Sequence, residues 1–149
     1  MVRRRTLTPV FVGSNPTTPA KGDIMVKVDT ETMWIYLTRG DSAIIVFSAE
    51  NEKGEPFHPS NGDKLVFKVT KKLGDEESRV LVIENEMDNN EEEYWSIKFK
   101  PEDTKNLAFG KYFYDVEINI CDDGEVVDVD TIIGKTDEIT PTFMIWGEA

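Results

Sequence analysis

From Met33 onward, short runs of hydrophobic residues alternate with clusters of Gly, Asn, Asp and Pro. The runs are rich in Val, Ile, Phe, Tyr and Trp, which favour strands, and the clusters are typical of turns. The pattern predicts eight strands, near residues 34–38, 42–49, 64–70, 79–84, 94–100, 111–121, 125–133 and 142–146. We therefore expect an all-β protein.

Within several of these runs apolar and polar residues alternate with a period of two, as in a strand with one buried face. In the longest run, Tyr112, Tyr114 and Val116 point one way and Lys111 and Asp115 the other. Seven or eight such strands in a chain of this length predict an antiparallel β-sandwich of the immunoglobulin-like type.

Two local signals lie between the strands. The sequence Asp122-Asp123-Gly124 predicts a hairpin turn, because Asp and Gly tolerate positive φ. The stretch from Pro101 to Leu107 predicts one helical turn, since proline can open a helix and acidic or hydroxyl side chains cap its amides.

Residues 1–24 differ from the rest of the chain, with three consecutive arginines, three prolines and no strand or helix period. We expect them to be disordered, and residues 25–149 to form a single domain. The tetrapeptide Gly13-Ser14-Asn15-Pro16 resembles the translated T-arm of a transfer RNA gene. This segment is therefore predicted to be mistranslated upstream DNA, with the natural start at Met25 or Met33 and a gene at a site where prophages integrate.

The net charge of the chain argues against some classes of binding partner. The 149 residues carry a formal net charge of -12, which argues against direct binding to nucleic acid or to an anionic membrane. Imitation of nucleic acid stays open. The apolar runs are too short to span a membrane, and a single cysteine excludes an intrachain disulfide.

Candidate chemistry is sparse. Acidic clusters at residues 84–93 and 122–130 lack the spacing of a calcium-binding loop, so solvated loops are expected rather than a metal site. His58 has no second imidazole beside it in the sequence, and Cys121 lies among acids that disfavour a thiolate. We therefore expect a protein that is not an enzyme and holds no cofactor or metal. Trp34, Trp95 and Trp146 are predicted to pack in the core rather than to form a sugar platform.

One outward aromatic stands out. By its parity in the strand, Phe113 faces away from the core beside Lys111 and Asp115. It marks either a face that meets another subunit or a small cluster with Phe109.

The segment that leads into the longest strand, with the first residues of that strand, has a recognisable order of residues. It comprises Asp103, Leu107, Gly110, Tyr112 and Tyr114. This order resembles the corner between strands E and F of immunoglobulin-like domains, where a tyrosine hydroxyl bonds an upstream backbone group. The resemblance gives Tyr112 that role. Tyr114 stands where antibody domains carry a cysteine, so this chain departs from the disulfide-bonded type.

A wider resemblance rests on motifs in a fixed order. They are Leu37–Ser42, residues 54–56, Gly62-Asp63 before Leu65–Val69, Pro101–Thr104, and Gly110–Val116. In this order the chain resembles small β-sandwich proteins of the tail, baseplate and fibre gene clusters of Firmicutes phages and prophages.

This resemblance implies a virion structural or attachment module that binds other phage structural proteins and forms a homo-oligomer. It also implies a location in the host cytoplasm before assembly and in the virion afterwards. The alternative is an acidic DNA mimic that inhibits a host restriction or CRISPR nuclease.

Overall fold

Two β-sheets form the described part of the molecule. The computed structural model describes residues 5–8, 26–29, 31–51, 53, 55, 57–87 and 95–147. The strands are β1 (Arg5–Thr8), β2 (Val26–Asp29), β3 (Trp34–Thr38), β4 (Ala43–Asn51), β5 (Lys64–Thr70), β6 (Arg79–Glu86), β7 (Trp95–Phe99), β8 (Gly110–Asp122), β9 (Glu125–Ile133) and β10 (Thr142–Trp146). The helical segments are α1 (Pro101–Thr104) and a 3-10 turn at Glu76–Ser78, both far too short to cross a membrane.

The prediction of an all-β sandwich with a short helical turn is confirmed. Each predicted strand is present, and those at 34–38, 64–70, 125–133 and 142–146 have the expected bounds. The predicted start of β7 at Tyr94 lies outside the described residues. The structure differs in containing β1 and β2 as additional strands.

The long strand β8 organises the larger sheet. Its one edge pairs with β5, and its other edge pairs first with β10 and then with β9. The order runs β2-β3-β10-β8-β5-β6, with β9 as the further partner of β8. The series β8-β5-β6 has the order of strands F, C and C′ in variable-type immunoglobulin domains, and β9 and β10 share the edge of β8 at which strand G lies. The pair β3 and β10 is parallel, unlike the expected antiparallel arrangement.

The smaller sheet has the order β1-β4-β7. Strands β4 and β7 correspond to B and E of the immunoglobulin-like sandwich. Strand β1 comes from the segment that was expected to be disordered, and it pairs with the end of β4. The structure therefore differs from that expectation at Arg5–Thr8, where backbone pairing supplies an order that the local sequence does not indicate. The remaining residues of 1–24 lie outside the described part of the chain.

Aromatic rings join the two sheets through the core. Phe99 of β7 packs edge-on against Phe67 of β5 and stacks with Phe143 of β10, with ring centroids 5.3 and 5.6 Å apart. Tyr114 of β8 stacks on Phe67 at 4.9 Å. These contacts bury side chains from three strands of the large sheet against the small one, which is the main stabilising contribution in a sandwich of this kind.

The hairpin between β8 and β9 has the predicted turn. Asp122 pairs with Glu125, so the loop consists of Asp123 and Gly124. Both have positive φ, 52° and 80°. This is the two-residue connection whose twist matches that of the flanking strands.

A buried carboxylate fixes the loop before β5. Asp63 is almost fully buried and accepts hydrogen bonds from the backbone N–H groups of Ser60 at 2.9 Å and Cys121 at 3.1 Å. Its own backbone carbonyl accepts from Met87 at 2.7 Å. Because these bonds come from three separate segments, Asp63 holds one end of the sandwich together.

Candidate functional site

The corner before β8 has the hydrogen bond that the resemblance implied. The hydroxyl of Tyr112 donates to the backbone carbonyl of Ala108, four residues upstream, at 2.8 Å. Asp103 accepts from the backbone N–H of Lys100 at 2.7 Å and so caps α1. Gly110 has φ of 133°, which only glycine adopts readily. Leu107 packs at the border of the core and completes the corner.

Tyr114 has a separate structural role. Its hydroxyl donates to the backbone carbonyl of Met33 at 2.8 Å, which ties β8 to the turn before β3. Burial raises the pKa of Tyr114 well above its ordinary value, so the hydroxyl stays protonated and remains a donor. The five predicted corner residues therefore lie around one end of β8, and their contacts are structural.

A group of partly exposed aromatic rings lies on the outer face of the large sheet at this end. We call it the aromatic surface and define it as Trp34, Tyr36 and Trp146. The ring of Tyr36 lies 6.0 Å from that of Trp34 and 5.1 Å from that of Trp146. This arrangement follows from the parallel register, which sets Trp146 opposite Thr38 and Met144 opposite Tyr36.

The prediction that all three tryptophans lie in the core is correct only for Trp95. Trp95 is fully buried, whereas Trp34 is half-buried and Trp146 is 49% exposed. In β10 the inward positions belong to Phe143 and Ile145, so alternation places Trp146 outside.

Phe109 and Arg39 form a separate pair at the end of β3 and β10, beside Gly147. Phe109 is 54% exposed, and its ring lies so close to Gly147 that a Cβ there would approach it to 3.0 Å. The guanidinium of Arg39 stands 3.9 Å above the centre of this ring. Arg39 also donates to the carbonyl of Leu107 at 3.2 Å. The charged group is thus held in place over the ring as a cation–π pair.

A second cation faces one end of the aromatic surface. The amino group of Lys111 lies 5.5 Å from the ring centre of Trp34. Phe113, the predicted interface residue, is half-buried on the same face of the sheet, opposite Thr70 and Thr142. The ring contacts of the described residues do not join it to Phe109.

The centre of the outer face is polar. The amino group of Lys68 binds a carboxylate oxygen of Glu117 at 2.9 Å, and both side chains are mostly buried. The Oδ1 atoms of Asp115 and Asn119 are buried and accept no hydrogen bond from the described residues. The hydrogen bond to Glu117 raises the pKa of Lys68, and burial raises the pKa of the Asp115 carboxyl.

The candidate catalytic and metal residues do not come together. Among the residues that the structure describes, no three His, Cys, Asp or Glu side chains lie close enough to hold a metal ion. His58 is exposed on the loop before β5, and Cys121 lies near the end of β8. Part of the first acidic cluster, residues 88–93, lies outside the described residues.

Comparison of the chain with protein-family models, with curated proteins and with solved structures gives no match. The site must therefore be judged on its own geometry. What that geometry offers is an outward group of three aromatic rings, with the amino group of Lys111 above Trp34.

The corner hydrogen bond yields a stability prediction. The substitution Tyr112→Phe removes the donor to the Ala108 carbonyl and leaves the ring in place, so unfolding should become easier by about 1 kcal/mol. Urea denaturation measures the change. The control is Tyr36→Phe, which removes the hydroxyl from a ring on the outer face and should change stability less. Equal losses in the two variants would contradict the role given to Tyr112.

The burial of Asp115 yields a pH prediction. The pKa of the Asp115 carboxyl is raised in the folded state. The free energy of unfolding of the wild type therefore falls as the pH rises through that pKa. Asp115→Asn cannot ionise. The stability of the variant relative to wild type should therefore increase between about pH 4, the ordinary range of this carboxyl, and about pH 7. Denaturation curves at both pH values test this, and a relative stability that falls over that range would contradict it.

Proposed function

We propose that the protein is a non-enzymatic structural or attachment module of a phage or prophage particle, which acts by binding other proteins through the aromatic surface. The observation that carries this proposal is the contact of three aromatic rings on the outer sheet face, of which Trp146 is 49% exposed. Trp and Tyr are among the residues that contribute most often to protein interfaces, and both are present there.

The shape of the patch favours a protein partner over a sugar. The rings of Trp34 and Tyr36 are tilted by 39° and those of Tyr36 and Trp146 by 46°. Tilted rings in mutual contact form a ridge instead of a single flat plane on which a sugar ring could stack. A ridge of this kind fits a complementary pocket in another protein.

The phage assignment is supported by the ordered motifs of the sequence. One of these motifs, Gly110–Val116, contributes Lys111 and Phe113 to the sheet face that carries the aromatic surface. The proposed partners are other structural proteins of the particle, together with further copies of this chain. The proposed location is the host cytoplasm before assembly and the virion afterwards.

The acidic composition supports the alternative of a DNA mimic that inhibits a host nuclease. Asp122, Asp123 and Glu125 are exposed around the turn between β8 and β9. A mimic, however, needs carboxylates in rows that resemble phosphate spacing. Exposed valines interrupt the acids of β9, so the observations favour the structural module.

The two functions predict different captured proteins. The full chain, immobilised and exposed to lysate of an induced lysogenic host that carries the gene, should retain phage tail or baseplate proteins, and purified particles should contain the chain by mass spectrometry. The Trp146→Ala variant should lose about 2 kcal/mol of binding energy, or about 30-fold in affinity. Loss of the large exposed ring explains this effect.

The variant Leu73→Ala is the matched control for the loss of an exposed apolar side chain. Leu73 is also a large exposed apolar residue, but it lies in the connection between β5 and β6, so Leu73→Ala should bind as wild type does. Thermal unfolding of both variants checks the fold. Recovery of host nucleases instead of particle proteins would support the DNA mimic and overturn the structural role, as would particles that lack the chain.

A further inference from the structure

A pocket lies at the corner end of the sandwich, between the turn after β3 and helix α1. The described residues that line it are Arg39, Gly40, Pro101 and Lys105, and its volume is about 470 Å³. Clefts of this size commonly hold small ligands or single side chains. Among these lining residues two are cations and none is acidic. The pocket is therefore a positive site on a chain whose formal net charge is -12.

Hydrogen bonds join the two walls of the pocket. The backbone N–H of Gly40 donates to Oγ1 of Thr104 at 2.8 Å, and Thr104 is fully buried. The backbone N–H of Lys105 donates to the carbonyl of Pro101 at 3.1 Å, which closes the turn of α1. The walls are thus fixed to each other before any ligand arrives.

Arg39 is oriented and keeps unused donors. Its backbone N–H donates to the carbonyl of Trp146 at 3.0 Å, so the end of β3 is fixed. Its guanidinium stands 3.9 Å above the ring of Phe109 and donates to the carbonyl of Leu107 at 3.2 Å. The remaining N–H groups of the guanidinium have no partner among the described residues. Such a planar group binds a carboxylate through two parallel hydrogen bonds.

Lys105 supplies a second positive charge. It is exposed at the end of α1 and lines the same pocket. The ion pairs of the described residues involve neither Arg39 nor Lys105. Asp41 and Glu102 are sequence neighbours of lining residues, but they do not line the pocket. The two cations are therefore not neutralised by a carboxylate within it.

The segment around α1 is also basic. From Lys98 to Lys111 the sequence contains four lysines and two acidic residues, a net charge of +2. One of these acids, Asp103, already accepts a hydrogen bond from the backbone N–H of Lys100 at 2.7 Å. Charges at a surface are largely screened beyond about 8 Å at physiological salt. The more distant acidic surface therefore opposes the binding of an anion here only weakly.

The surroundings of the pocket favour a carboxylate that belongs to a protein. A nucleic acid or an anionic membrane would extend over the acidic surface, which repels it. The ring of Phe109 is 54% exposed beside the guanidinium of Arg39. An apolar side chain next to the carboxylate can contact this ring, whereas a free phosphate ion cannot. The ligand that fits is an acidic peptide segment with an apolar neighbour.

We propose that this pocket binds a carboxylate of an acidic protein segment. Arg39 would hold the carboxylate through two hydrogen bonds, Lys105 would add the second charge, and Phe109 would contact the apolar neighbour. This inference goes beyond the proposed function, from which it takes only that the ligand is a protein. The pocket and the aromatic surface consist of different side chains, so each can fail without the other.

The test uses the full isotope-labelled chain and the capped peptide acetyl-Gly-Glu-Leu-Gly-amide. Nuclear magnetic resonance titration at low salt should shift the Nε–H of Arg39 and the backbone amides of Gly40 and Lys105. A matched peptide with glutamine in place of glutamate should bind about tenfold more weakly, because it lacks the charge. Inorganic phosphate should also bind more weakly than the glutamate peptide, since it makes no apolar contact.

Three variants of the chain complete the test. Lys105→Gln should weaken binding of the glutamate peptide about fourfold, in the range of an exposed ion pair. Lys135→Gln is the matched control, because it removes the same charge from an exposed lysine after β9, and it should bind as wild type does. Trp146→Ala should also bind this peptide as wild type does, which separates the pocket from the aromatic surface. The amide spectrum of each variant checks its fold.

Four results would each overturn the proposal. They are equal affinity for the glutamate and glutamine peptides, tighter binding of phosphate than of the glutamate peptide, equal effects of Lys105→Gln and Lys135→Gln, and unshifted signals of Arg39, Gly40 and Lys105 at millimolar peptide.

Discussion

The edges of β8 are the constraint on which the rest of the molecule depends. One edge pairs with β5 from Phe113 to Asn119. The other edge pairs with β10 up to Phe113 and with β9 from Val116 onward. Between them, the backbone N–H of Tyr114 donates to the carbonyl of Pro141. The middle of this thirteen-residue strand, from Phe113 to Asn119, thereby has neighbours on both sides, although its second edge needs two separate strands. This satisfies its backbone groups inside the sheet and keeps the inward side chains of β8 in the core.

The same constraint places the aromatic surface. Because β10 ends its pairing at Phe113, this surface lies at the first half of β8, beside β3 and β10. Strand β9 pairs with the second half of β8. Trp34, Tyr36 and Trp146 belong to regular strands, so their side chains are positioned before any partner arrives. Docking by such surfaces needs no reactive cavity.

Local pattern was sufficient for strand positions and inward faces. The alternation of Leu65, Phe67 and Val69 predicts the buried side of β5, and Tyr112 is identifiable from its place after Gly110. The clustering of Trp34, Tyr36 and Trp146 could not be predicted in this way. It depends on a parallel pair between distant parts of the chain, whereas periodicity reports only local geometry. The interpretation of Trp146 as a core residue was wrong because hydrophobicity was given more weight than its parity with Phe143 and Ile145.

Amide hydrogen exchange of the full chain tests most directly whether β8 is the stabilising centre of the sandwich. The slowest-exchanging amides should belong to residues 113–119 of β8 and to their partners in β5, because these strands have neighbours on both edges. Amides of β6 and β9, which lie at sheet edges, should exchange faster. Exchange of residues 113–119 as fast as that of β6 would contradict the account, since the aromatic surface would then lack a rigid support.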